Sequence, residues 1–199
     1  MGLRPTKVDE EPDCIGLVSP FLRMFFNRAV RHMPAVRYFI TFACYGVHLH
    51  GDESGSVDRE HNASGGRLAD ANPERVAVMR HQMDQSSYFL DGARRAAVLD
   101  ALREVCVHRN WSLWAAHVRS NHVHVVVEAD IPPDRVMNSF KSYASRRLNH
   151  LGIDEPERKR WARHGSTRWL WKDEDAQEAI RYVIYGQGEL MEVYLGELV

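Results

Sequence analysis

The chain has 199 residues, with 26 Lys or Arg against 27 Asp or Glu and a formal net charge of −1. That length suits one domain with a real core plus some decoration, and a charge so near zero excludes a surface built as a whole to hold a polyanion. No stretch approaches the ~20 uninterrupted apolar residues of a membrane span, so no membrane partner is expected and a cytoplasmic location follows.

Residues 1–34 read as an N-terminal extension. The first fourteen are polar and proline-bearing, a loose tail. Residues 15–33 have the spacing of a short amphipathic helix, with Phe21, Leu22, Phe25, Phe26 and Val30 on one side, and Pro20 and several arginines spoil the segment as a targeting signal. The domain proper is expected over 35–190. It begins with "AVRYFITFACYG", where β-branched and aromatic residues cluster between Pro34 and Gly46 and predict a buried strand at about 36–45.

A long polar loop is expected from about 47 to 86, rich in Gly, Asp, Asn and Ser. Asp91 then offers an N-cap to "GARRAAVLDALREVCVHRN", a helix for which Asn110 is the stop. Two strands, "SLWAAHV" and "HVHVVVE", follow as a hairpin joined at Arg119–Asn121. Pro132 and Pro133 open a further helix that Gly152 can end, "TRWLW" is a fourth strand, and "DEDAQEAIRYVIYGQG" is a final helix with acids in its first turn. Residues 191–199 are expected to be a C-terminal tail. The cysteines, Cys14, Cys44 and Cys106, are odd in number and far apart, which favours reduced thiols over a disulfide frame or a zinc cluster.

The order β-α-β-β-α-β predicts an α+β fold, a ferredoxin-like split βαβ sandwich with a central antiparallel sheet and helices on one face, plus an extra C-terminal helix. Residues two apart on a strand project the same way. His122 and His124 therefore share a face with Val126 and Glu128, while Val123, Val125 and Val127 face the helices. Two imidazoles on one sheet face can converge on a divalent metal. His48 and His50 repeat the spacing where the chain turns polar, as a weaker pair.

Local charge is less balanced than the total. From Arg135 to Lys172 there are ten Lys or Arg, including Lys141, Arg146, Arg147, Arg163 and Arg168, against three acids. Trp161, Trp169 and Trp171 interleave with them. Such a stripe can hold phosphates while flat rings stack unpaired bases.

"NHVHVVVEADIPPDRVMNSFKSYASRRLN" followed by "WARHGSTRWLW…AIRYVIYGQGE" resembles the HUH single-tyrosine transposases of small insertion sequences, and within them the REP-associated tyrosine transposase (RAYT) group. The His-hydrophobic-His element is matched by His122, Val123 and His124. The resemblance covers about 36–188 and implies a transposase-type endonuclease and strand transferase. Such enzymes act on single-stranded or hairpin DNA through a divalent metal, Mg2+ or Mn2+, and a tyrosine that forms a 5′-phosphotyrosyl intermediate; they commonly work as homodimers. A third metal ligand, usually polar, is expected on the helix that presents the tyrosine, and Asp173 and Glu174 are the candidates. The family's tyrosine is expected in the segment "GSTRWLW", where this chain has Trp169, which has no nucleophilic oxygen. Tyr143, Tyr182 and Tyr185 remain as candidate nucleophiles. The other reading is a catalytically inactive, domesticated binder of DNA hairpins on the same fold; an RNA-binding module ranks last.

Overall fold

The computed structural model describes residues 35–49, 51–52 and 70–196. The N-terminal extension, Cys14, His50 and much of the polar loop lie outside the described residues. The elements run β1 (Val36–Ala43), α1 (Pro73–His81), α2 (Gly92–Arg109), β2 (Ser112–Val118), β3 (His122–Ala129), α3 (Pro133–His150), β4 (Ser166–Leu170), α4 (Asp173–Tyr185) and β5 (Glu192–Leu195).

The local signals behave as the sequence suggests. The Asp91 carboxylate accepts from the Arg94 N–H at 2.9 Å to cap α2, and Asn110 closes that helix in the left-handed region at φ 55°. Pro133 sits in the first turn of α3, where its missing N–H costs nothing. Asp173, Glu174 and Asp175 occupy the first turn of α4, complementing the positive end of its dipole. Gly165 has a steric reason: a Cβ there would stand 2.5 Å from the Thr41 carbonyl oxygen, so only glycine lets the chain enter β4 so close to β1.

Five strands form one antiparallel sheet in the order β4-β1-β3-β2-β5. The first four follow the ferredoxin-like order, and the fold class is the one expected. α2 and α3 cover one face, over Tyr38, Ile40, Phe42, Val123, Val125 and Val127. α4 covers the other, packing Ala176, Ala179, Ile180, Val183 and Ile184 over Ala115, Val126 and Leu170. β3, at the centre, is hydrogen-bonded on both sides and sandwiched on both faces.

Three boundaries differ from the sequence reading. β1 ends at Ala43, because Cys44 leaves the ladder for a single bridge to Trp161. The polar loop contains α1, a helix with no buried residue that is held by an Asn72 cap and gives no amphipathic signal. Within 191–199, expected to be a tail, Glu192–Leu195 form the edge strand β5; four residues are too few to show alternation.

The loop after α3 is fixed by a buried carboxylate. Asp154 receives Arg94 at 2.7 Å, Arg160 at 3.0 Å and the Tyr88 hydroxyl, and its side chain is only 6% exposed. Burial pushes this carboxyl up, but hydrogen bonds from Tyr88, Arg94 and Arg160 outweigh it and leave it below its ordinary value. The stability it contributes is therefore present above the unfolded value of 3.8 and is lost as pH falls through the lower folded value. Asp154→Ala strands two arginines and is expected to cost about 3–5 kcal/mol in urea unfolding at neutral pH. The gap to wild type should narrow in acid; a pH-independent gap would count against this account.

Candidate active site on the face under the last helix

β3 carries His122 and His124 toward α4, as strand parity requires, while its odd-numbered valines enter the opposite core. The two imidazole rings lie 4.6 Å apart at 75° to one another. Neither points into open solvent: His124 is 6% exposed and His122 is half-buried.

Each ring is held by a named partner. The His122 Nδ1–H donates to Asn121 Oδ1 at 2.6 Å, which leaves the Nε2 lone pair outward. His124 Nδ1 lies 2.7 Å from Thr41 Oγ1, its register neighbour on β1, and Nε2 lies 3.0 Å from Gln187 Oε1. The amide oxygen only accepts, so His124 Nε2–H donates to Gln187 and the Thr41 hydroxyl donates to Nδ1; with a cation between Nε2 and Oε1 the proton would move to Nδ1, and Thr41 would accept it. Burial pushes His122 down to about 4. Burial and the neighbouring His122 push His124 down to about 3. Both are neutral at pH 7, the form that offers a lone pair.

Gln187 is the residue that sequence reasoning missed. It follows α4 by two positions, and an amide side chain carries no charge pattern that marks it out. Its amide nitrogen is buried with no hydrogen-bond partner, so this side chain is aimed into the cluster without being fully satisfied. Among the described residues no group of three or more His, Cys, Asp or Glu could hold a metal. Two imidazoles and one amide oxygen nevertheless fit a small hard cation. Ligands about 2.1 Å from a shared ion and at right angles lie roughly 3.0 Å apart, the separation of His124 Nε2 from Gln187 Oε1.

The three candidate tyrosines fall in different places. Tyr182, on the last turn of α4, brings its ring 5.8 Å from the His124 ring and 5.9 Å from Phe39, and is 47% exposed. Tyr185 is 73% exposed, with no ring contact to the pair. Tyr143 stands on the far side of the sheet, against His108 and beneath the Arg146 guanidinium at 4.2 Å, and cannot reach the histidines. Trp169 also faces away, edge-on to Tyr38 at 4.9 Å. A tyrosine at 169 would likewise point away from the pair, so tryptophan there removes nothing from this site.

Asp173 and Glu174 are misplaced as metal ligands. They begin α4, roughly 13 Å of helix from Tyr182, and Asp173 pairs with Arg37 at 2.6 Å.

The basic stripe is largely consumed by the fold. Lys141 is buried, its ammonium donating to the carbonyls of Ala162 at 2.9 Å and His164 at 3.2 Å. Arg147 ties α3 to α2 through Asp100 and Glu104, Arg158 binds Gln85 and the Ser86 carbonyl, and Arg160 belongs to the Asp154 cluster. Trp161 donates to the Lys141 carbonyl and Ser145, a packing role. Arg135, Arg163 and Arg168 are exposed, and none pairs with a described acid. Arg168 lies over Phe39 at 5.9 Å, on the histidine side. Trp169 stacks with Trp171 at 5.0 Å, and Trp171 is 69% exposed. His48 is exposed at the end of the β1 turn.

Fold and site together define a split βαβ domain whose central histidine pair is opposed by a helix-borne tyrosine and an amide. Residues 78–174, just under half of the chain, match the family model described as "Transposase IS200 like". The match contains His122 and His124 and stops short of Tyr182 and Gln187. The resemblance read from the sequence is borne out at the level of the family.

Two solved structures are similar. One is a REP-associated tyrosine transposase bound to a REP hairpin, at 11% identity and a TM-score of 0.42, covering 76% of this chain and 66% of that one. The other is a candidate transposase from Deinococcus radiodurans R1, at 13% identity and a TM-score of 0.39, covering 74% and 88%. No curated protein matches the chain. Among the described residues no helix is long and apolar enough to cross a membrane.

The neutral state of the pair can be checked directly. In an NMR titration the ring signals of His122 and His124 should stay unchanged down to about pH 5, because burial holds both below the ordinary value of 6.5. Midpoints near 6.5 would mean the rings are solvated.

Proposed function

We propose that the protein cuts and rejoins single-stranded or hairpin DNA, with the Tyr182 hydroxyl as nucleophile beside His122, His124 and Gln187. The observation that carries this reading is the approach of the Tyr182 ring to within 5.8 Å of the His124 ring, which neither Tyr143 nor Tyr185 makes.

The Tyr182 oxygen bonds to phosphorus as the bond from phosphorus to the 3′ oxygen breaks. The phenol proton leaves to solvent, to which the ring is open, and the departing 3′ oxygen takes one up. The products are a 5′-phosphotyrosyl link and a free 3′-OH, and the conserved bond energy lets the reverse step join a new 3′-OH without ATP. His122, His124 and Gln187 would hold a divalent cation, Mg2+ or Mn2+, which when bound would supply a Lewis acid for the charge on the attacked phosphate. The chain's own groups do the holding: Asn121 orients His122, Thr41 orients His124, and Phe39 backs the Tyr182 ring.

For the DNA itself, the reading relies on what the fold leaves free. Arg168 is open on the histidine side, Arg135 and Arg163 are further exposed cations, and Trp171 offers an open ring face for an unpaired base. The homodimer implied by the family resemblance is carried as part of the proposal, and sedimentation should find two chains per particle.

The test is a single-stranded hairpin oligonucleotide incubated with Mn2+ and resolved on a denaturing gel. Wild type, Tyr143→Phe and Tyr185→Phe should yield a covalent protein–DNA adduct, and Tyr182→Phe none. His122→Ala with His124→Ala should lose the adduct and keep most of the affinity. Binding by wild type without any adduct would support the hairpin binder instead. Trp171→Ala should weaken binding by about 1–3 kcal/mol, the usual worth of one stacked base.

A further inference from the structure

Among the described residues His117 is the most deeply buried histidine, 0% exposed, and nothing in the reaction above uses it. It lies on β2 directly across from His124, on the same face of the sheet. That orientation has a local cause. β2 carries a bulge at Trp114, between Leu113 and Ala115, which puts Trp114 and Ala115 on the α4 side together and shifts the alternation of every residue after them. Without the extra residue His117 would point into the α2/α3 core.

Both ring nitrogens are committed. The Nδ1–H donates to the Val183 carbonyl at 3.0 Å, in the last turn of α4, and Nε2 accepts from the Met191 N–H at 3.3 Å, just before β5. The tautomer is thereby fixed, and no lone pair is left for a cation. Two residues on, Arg119 donates to the Glu189 carbonyl at 2.9 Å. The chain from Val183 to Met191 is thus pinned at both ends by a β2 side chain, and at Glu189 by Arg119 just past the end of β2. The segment it forms carries Gln187, whose oxygen stands 3.0 Å from His124.

We propose that His117, with Arg119, is a positioning residue that clamps this strap so that Gln187 completes the donor set beside His122 and His124. The inference rests on the reading of that set as a cation site, and it assigns His117 a role through Gln187 and none as a ligand. A ring is suited to this: it spans two backbone groups that belong to different elements, with one donor and one acceptor at fixed separation. Shorter polar side chains lack that span, and purely aliphatic ones have neither donor nor acceptor.

The full-length protein should be compared as wild type, His117→Gln, Arg119→Ala, Gln187→Ala and the double variants that include Gln187→Ala. Mn2+ affinity is read by loss of the free-ion EPR signal, and strap mobility by hydrogen exchange at the amides of residues 187–191 without metal. His117→Gln and Arg119→Ala should each speed exchange in the strap and weaken Mn2+ binding about 10-fold or more, as loss of a ligand's support commonly does. Neither should weaken it further once Gln187 is alanine. Unchanged exchange in both variants overturns the clamp, and so does weakening that adds fully to that of Gln187→Ala. If wild type takes up no Mn2+, the cation reading fails, while the exchange rates still decide whether the clamp exists. Arg119, only half-buried, keeps the test open should His117→Gln fail to fold.

Discussion

The candidate site depends on one constraint, the two-residue alternation of β3 at the centre of a sheet covered on both faces. Val123, Val125 and Val127 go to the α2/α3 core, and His122, His124 and Val126 go under α4. Burying each valine is worth about 1.5–3 kcal/mol. A slip of one residue would expel all three and drive two imidazoles into a core with no partners for them. Register is therefore held by the hydrophobic effect, and the histidines inherit their direction from the valines between them.

The opposite cover decides which side chains meet the pair. α4 is built from small and branched residues on its inner face, Ala176 and Ala179 near its start and Ile180, Val183 and Ile184 further on. This stripe seats the helix on Val126 and Leu170 and leaves Tyr182 at the border between core and solvent. The site is then assembled from three stretches far apart in sequence: Phe39 and Thr41 on β1, Asn121 to His124 at the hairpin, and Tyr182 on α4 with Gln187 five residues on in the strap. Asp173 and Glu174, at the helix start, serve the helix dipole and the Arg37 pair at the other end.

The basic residues illustrate how charge counting misleads. Ten cations within thirty-eight positions look like a phosphate footprint. The loop between α3 and β4 has few backbone partners of its own, so Lys141 reaches across to its carbonyls and Arg94, Arg158 and Arg160 lace it to α2 and to the loop before it. Buried polar groups must be satisfied, and long cationic side chains do that here from a distance. What remains for a polyanion is a smaller set at the surface, with Arg168 on the same side as the histidines.

The sequence by itself determined the strand order, the helix cap at Asp91 and the helix start at Pro133, the fold class and the shared face of His122 and His124. These rest on short-range rules: alternation along a strand, capping chemistry, and the left-handed tolerance of Asn110. It was silent on β5, on α1, on which of Tyr143, Tyr182 and Tyr185 lies beside the histidine pair, and on Gln187. It also placed the nucleophile segment at Trp169 and the third ligand at Asp173 or Glu174, which point away from the pair or stand far from it. Only the tertiary structure decided these, because they depend on which face α4 covers and where its last turn ends. A tyrosine or glutamine has no periodicity that reveals its neighbour across a sheet, and a bulge that turns His117 inward becomes visible only when two strands are laid side by side.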